Sequence, residues 1–451
     1  MGRDGVPEGD SLKTQMNPGK GAIVKSRRAF LILISLLIFS WLLSGTHLCR
    51  DQGTAAPSEP NLSSGSSLQI VQLESVALKG NLLGDPTLRD ILVYLPPSYH
   101  QNIDRRYPVI YLLHGFSSDH LGYTPDGGPS KLARMRADLD LKLDIQDISD
   151  SLIASGSIAE FIIVTPNANN RYGGSNYESN PVIGDYRTFV TSELVHFIDS
   201  RYRVLASRES RGIAGHSMGG QGALILASDF PEVYGAVAAL SPAHNDLKPA
   251  SSQGLPGLLQ WFNAIGGGKL PTPVPWKDLK ISDEDFLTMW GRSGAESRVA
   301  VNFVYAAAAS FSPNPNNPPF FADLPLEYSG RIPRLVTSVW NQWKVTDLVS
   351  HIRGSRANLA YTAIYVNRGT FVAPNPNIKV GGEIADITST VRALDEAGLV
   401  FEYETFPGDH FSGLRFQVEQ ALRFFTRKLR ARSEGQGEGS QDALTRVRGR
   451  E

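Results

Sequence analysis

The sequence predicts an α/β fold: a mainly parallel sheet of about eight strands, helices on both faces, and a cap inserted between the sixth and seventh strands. Three observations predict it. Short apolar or β-branched runs bounded by turn residues recur along the chain. Helical patterns alternate with most of them. About 120 residues separate the sixth run from the seventh, far more than an ordinary connection.

The runs are Gln69 to Leu78, Ile91 to Leu95, Val109 to Leu113, Phe161 to Thr165, Gly212 to Ala214, Ala236 to Leu240, Thr362 to Val366 and Phe401 to Thr405. The first two are close together and alternate in polarity, so they are expected to pair antiparallel at one edge. Helices are expected over Ile145 to Ala154, Phe189 to Tyr202, Met218 to Ser228, Ile384 to Ala397 and Leu414 to Leu429, with Gly398 ending the fourth. The insertion, about 245–358, contains Trp261, Trp276, Trp290, Trp340 and Trp343. Tryptophans in such a segment more often build a core than a pocket wall.

Both ends read differently from this domain, 67–430. Residues 29–49, AFLILISLLIFSWLLSGTHLC, hold no charged side chain and are long enough to cross a hydrocarbon layer of about 30 Å, as a transmembrane anchor or a signal segment. Lys20, Lys25, Arg27 and Arg28 precede the run, which keeps 1–28 cytoplasmic and sends the large domain across. Ser26-Arg27-Arg28-Ala29-Phe30-Leu31 is similar to the bacterial twin-arginine export signal, with Ile32 in place of its lysine. Gly53-Thr54-Ala55-Ala56 is a weak cleavage candidate, and an uncleaved anchor in a bacterial membrane is expected. Segment 50–66 reads as a flexible linker and 431–451 as a disordered polar tail.

Charge and cysteine content narrow the functions. Lys+Arg 44 against Asp+Glu 45 gives a net charge of −1, so no overall field gathers nucleic acid. The single cysteine, Cys49, excludes a disulfide framework within the chain and a Cys-rich metal site.

The chemistry concentrates in Gly215-His216-Ser217-Met218-Gly219, a G-x-S-x-G sequence between a short apolar strand and a helical stretch. That context defines a nucleophile elbow, where the serine occupies a tight strand-to-helix turn and flanking glycines let the backbone pass closely. The strand Val109 to Leu113 runs into His114-Gly115-Phe116, so backbone amides of Phe116 and Met218 are the candidate oxyanion hole. His114 is expected to shape that loop. His410, in Pro407-Gly408-Asp409-His410-Phe411 between the last strand and the last helix, is the candidate base for Ser217.

With these motifs, Leu88-Arg89-Asp90-Ile91-Leu92-Val93-Tyr94-Leu95-Pro96, Tyr107 to Phe116, Asp185 to Arg203, Gly212 to Gly222 and Gly408-Asp409-His410, the chain resembles the "Putative esterase" family of α/β-hydrolases. That family includes esterase D-type enzymes, feruloyl and enterochelin esterases and mycolyltransferases. The resemblance spans roughly Leu68 to Arg430 and implies an α/β-hydrolase fold and a serine hydrolase acting on carboxylic esters or thioesters without metal or organic cofactor, the expected partners being a small-molecule, lipid or sugar ester and, through the run 29–49, the membrane. The family's usual Gly-x-x-Asp after the penultimate strand is missing. Asn367-Arg368-Gly369-Thr370-Phe371-Val372 carries no carboxylate, so Glu383, or else Asp386, is the candidate triad acid. Asn167, Asn169, Asn170, Arg171 and Tyr172, after the fourth strand, are candidates for the acyl or alcohol pocket. Two alternatives stay open: an acyltransferase to a sugar or lipid alcohol of the cell envelope, and a non-catalytic membrane-anchored scaffold.

Overall fold

Strands and their neighbours follow from a two-residue alternation. In β2 (Leu88–Leu95), Ile91, Val93 and Leu95 enter one apolar core, while Leu92 and Tyr94 enter a second on the opposite face. β3 (Val109–Leu113) divides the same way, Val109, Tyr111 and Leu113 against Ile110 and Leu112. Strands with both faces covered are the mark of a parallel sheet between helical layers. This computed structural model describes residues 65–125, 143–243, 298–329, 332–370, 388–408, 410 and 413–429. They lie within one unit, Asn61–Glu451.

The remaining sheet strands are β1 (Ser67–Glu74), β4 (Ile162–Pro166), β7 (Arg211–His216), β8 (Ala236–Leu240), β11 (Ala363–Gly369) and β12 (Phe401–Phe406), in the order β1-β2-β4-β3-β7-β8-β11-β12. β1 pairs antiparallel with β2 and β2 antiparallel with β4; every later pairing is parallel. This is the expected α/β-hydrolase architecture, with all eight predicted strands in one sheet. The first is shorter than its apolar run. The carboxylate of Glu193 accepts the amides of Val76 and Ala77, both at 2.9 Å, so the chain turns after Glu74 instead of extending to Leu78. Two small hairpins lie outside the sheet, β5 (Ser179–Asn180) with β6 (Gly184–Asp185) and β9 (Leu326–Ser329) with β10 (Ile332–Leu335).

One face is covered by α1 (Ile145–Ala154) and α10 (Leu414–Lys428), whose Ile148, Leu152, Val418, Phe424 and Phe425 join Leu92, Ile110 and Ala238. Across the sheet, α2 (Tyr186–Thr188), a π-helical turn Phe189–Glu193, α3 (Leu194–Arg201) and α4 (Met218–Asp229) build the other layer.

The insertion does not act as a cap throughout. It contains α5 (Arg298–Phe311), α6 (Thr337–Val345), α7 (Leu348–Gly354) and α8 (Arg356–Leu359). Leu348, Val349 and Ile352 of α7 share one core with Leu224 and Ile225 of α4, so this end of the expected cap, 245–358, belongs to the layer that covers the sheet. Trp340 and Trp343 are buried there, and Trp343 Nε1 donates to Ser312 Oγ at 2.8 Å. Trp261, Trp276 and Trp290 lie outside the described residues. α9 (Thr388–Glu396) is the described part of the helix expected from Ile384 to Ala397.

Candidate active site

β7 occupies the centre of the sheet, and the chain leaves it through Ser217 into α4 with no intervening loop. Ser217 has φ +57° and ψ −118°, a conformation costing a non-glycine residue about 1–3 kcal/mol. Its surroundings hold it there. The Ser217 amide donates to Leu240 O at 3.0 Å, and its carbonyl accepts from Gln221 N and Ala243 N, both at 3.0 Å. The glycines are required by close approach: a Cβ on Gly219 would fall 2.3 Å from Leu113 O, and one on Gly215 2.4 Å from the Gly219 carbonyl carbon.

His410, from the loop after β12, places Nε2 2.9 Å from Ser217 Oγ. The two predicted partners, 193 residues apart in sequence, are thus within hydrogen-bond reach. His410 is buried, and burial, followed by the proximity of His216, holds its imidazole well below the ordinary 6.5. His216 Nε2 donates to the carbonyl of His410 at 2.8 Å, and the two rings lie 4.8 Å apart. Burial lowers His216 to about 4, which keeps it neutral as that donor near neutral pH. Sequence reasoning treated His216 only as the variable position of G-x-S-x-G. Its place beside Ser217 was the one signal that it touches the His410 loop.

The candidate oxyanion residues come together from two elements. Phe116 follows the end of β3, and Met218 opens α4. Both side chains converge on Gly174, where a Cβ would lie 2.7 Å from Met218 Sδ and 3.0 Å from the Phe116 ring. His114 shapes this loop as expected. Its Nδ1 donates to Gly115 O at 2.8 Å, its Nε2 accepts from Ala168 N at 3.0 Å, and burial lowers its pKa to about 4.

The loop after β4, whose Asn167, Asn169, Asn170, Arg171 and Tyr172 are the candidates for the pocket, is held by its own hydrogen bonds. Asn170 is buried and its Oδ1 accepts the amides of Tyr172 and Gly174 at 3.0 and 3.1 Å. Asn169 Nδ2 donates to Ser118 O at 2.9 Å, and the Asn169 carbonyl accepts from Arg89 Nη1 at 2.8 Å. Tyr172 is buried, with its hydroxyl on Phe320 O at 2.9 Å, and Asn167 Oδ1 accepts the Asn169 amide at 3.1 Å. Glu383 and Asp386 lie outside the described residues, as does Asp409. Among the described residues no group of three or more His, Cys, Asp or Glu side chains is arranged to hold a metal ion.

A parallel-rich sheet with a serine on a strained turn at its centre, and a histidine from its far end on that serine, defines an α/β-hydrolase of the serine type. The sequence pattern of the family described as "Putative esterase" matches residues 86–419, and the chain belongs to that family. Among relatives, Esterase Rv1288 of Mycobacterium tuberculosis (strain ATCC 25618 / H37Rv) is 30% identical over 205 residues, covering 43% of this chain and 38% of the relative. The S-formylglutathione hydrolase of Paracoccus denitrificans (strain Pd 1222) is 29% identical over 160 residues, 33% of this chain and 50% of that protein. The chain therefore spans half or less of the length of these relatives. A ferulic acid esterase structure aligns over 81% of this chain and 100% of its own, with 22% identity and a TM-score of 0.49.

Proposed function

We propose that this protein is a serine esterase that cleaves carboxylic esters or thioesters through an acyl-enzyme on Ser217. The observation that carries the reading is the 2.9 Å approach of His410 Nε2 to the hydroxyl of an elbow serine. His410 takes the Ser217 proton as Oγ attacks the ester carbonyl, and the oxygen gains negative charge facing the amides of Phe116 and Met218. Collapse expels the alcohol or thiol, which takes the proton from His410. Water, deprotonated by the same imidazole, then releases the acid and restores Ser217. Glu383 is the proposed acid that orients His410, with Asp386 as the second choice. The names of the relatives, esterase and S-formylglutathione hydrolase, support this class of substrate.

The proposal extends to location. Among the described residues no helix is long and apolar enough to cross a membrane, and 29–49 lie outside them. The charge pattern around that run supports export of the catalytic domain and retention at the membrane.

The test is labelling of the full chain by a fluorophosphonate probe, together with hydrolysis of p-nitrophenyl acetate. Wild type is expected to be labelled and active, and Ser217→Ala to be neither. An unlabelled, inactive wild type would favour a non-catalytic scaffold.

A further inference from the structure

His410 comes to Ser217 from the far side of the sheet. β12, the strand that leads to it, lies at an edge and three positions from β7, about 14 Å along the sheet. A loop that returns over such a span loses backbone freedom at every residue it fixes, and a base displaced by about 1 Å loses much of its rate. The loop has to be caught where it arrives.

The pleat of β7 puts a donor there. Ile213 enters the core beneath α4, and Ala214 enters the one beneath α1 and α10. His216, two residues on, takes the face of Ala214. Its register partner on β8, Leu240, belongs to that same core, as does Leu414, which opens α10 just beyond His410. The His216 side chain and the His410 loop therefore meet on one face of the sheet. His216 Nε2 donates to the His410 carbonyl at 2.8 Å, and the two rings lie 4.8 Å apart at 42°.

The donor is itself fixed. His216 is buried, and the segment leaving β3 closes its other side: a Cβ on Gly115 would lie 3.3 Å from the His216 carbonyl oxygen and 3.7 Å from His216 Nδ1. The next residue is Ser217, whose amide and carbonyl are tied to Leu240 O and Ala243 N, both at 3.0 Å. One rigid segment thus carries both the hydroxyl that gives up its proton and the group that grips the peptide of the base. We propose that His216 is a positioning residue: its bond to the His410 carbonyl sets His410 Nε2 at 2.9 Å from Ser217 Oγ, and it acts on the reaction only through His410. This rests on the serine-esterase reading above.

The experiment measures fluorophosphonate labelling and p-nitrophenyl acetate hydrolysis in full-chain variants, with circular dichroism melts to show that each is folded. His216→Phe keeps a ring and loses the donor, so kcat and the labelling rate should fall about tenfold or more while KM stays within about twofold. His216→Gln, whose side-chain nitrogen extends to the place of Nε2, should recover most of both rates. His216→Asn, whose donor stops short, should be as slow as His216→Phe and replaces it if the phenylalanine variant does not fold. In a His410→Ala background, His216→Phe should slow the residual labelling no further, as a group acting only through the missing base must. Unchanged rates in a folded His216→Phe or His216→Asn variant, a glutamine variant as slow as these, or a further loss in the His410→Ala background overturns the assignment, while labelling of wild type at Ser217 leaves the esterase reading standing. A wild type that is neither labelled nor active overturns both.

Discussion

At the scale of single residues, the proposed mechanism makes His410 the base for Ser217, 2.9 Å away, a role that requires a neutral imidazole. Burial disfavours the imidazolium, so the His410 pKa lies below 6.5 and the base is already competent in mildly acidic solution. Acylation should therefore rise with pH to a plateau whose midpoint is below 6.5. A kcat/KM profile with its midpoint above 6.5 would contradict this. His410→Ala should lower acylation by several orders of magnitude with the fold intact, because members of such a unit lose most of their joint effect when one is removed. The acid separates by a similar test. A carboxylate that orients the imidazole affects turnover far more than stability, whereas one that only complements a helix start affects stability by about 0.3–1 kcal/mol and leaves turnover alone. Glu383→Gln is expected to depress turnover strongly and Asp386→Asn weakly; the reverse ranking transfers the role to Asp386.

At the scale of elements, the elbow depends on β7, α4 and the end of β3 passing each other at contact distance. Gly219→Ala places a Cβ 2.3 Å from Leu113 O, backbone that has nowhere to go, and should cost about 3 kcal/mol or prevent soluble expression. Thermal melts of purified variants check this; an unchanged melting temperature would mean the turn relaxes freely. The same contacts explain what the sequence made legible. All eight sheet strands, the elbow and the His410 loop were readable because two-sided burial writes continuous apolar runs and close approach writes glycine. α5 was not among the expected helices, because it lies in the long segment between the sixth and seventh runs, which the sequence marked only as an insertion. The packing of the Asn167 to Tyr172 loop was hidden for another reason. Asn170 and Tyr172 are buried, a property fixed by partners as distant in sequence as Phe320. His216 was overlooked because its contact, the His410 carbonyl, comes from the far end of the chain.

At the scale of the whole molecule, two expectations concern folding and placement. His114 and His216 are both buried with pKa values near 4, so folding favours their neutral forms over the 6.5 of an open chain. Their contribution is full above pH 6.5 and is lost as pH falls through the interval down to about 4. The melting temperature should decline over that interval more steeply than in a His216→Gln variant, which circular dichroism would measure. Placement turns on Arg27 and Arg28. Two lysines there would preserve the positive charge that orients the apolar run 29–49, so a purely topological role predicts normal export of the Arg27→Lys, Arg28→Lys double variant. A twin-arginine signal is instead read by a receptor that distinguishes guanidinium from ammonium, as planar forked donors differ from a point charge. On the export reading proposed here, the double variant accumulates folded and active inside the cell, with esterase activity in the cytoplasmic fraction and little at the envelope. Wild-type distribution of activity in the double variant would reduce the motif to a charge marker and leave the apolar run as the only determinant of location.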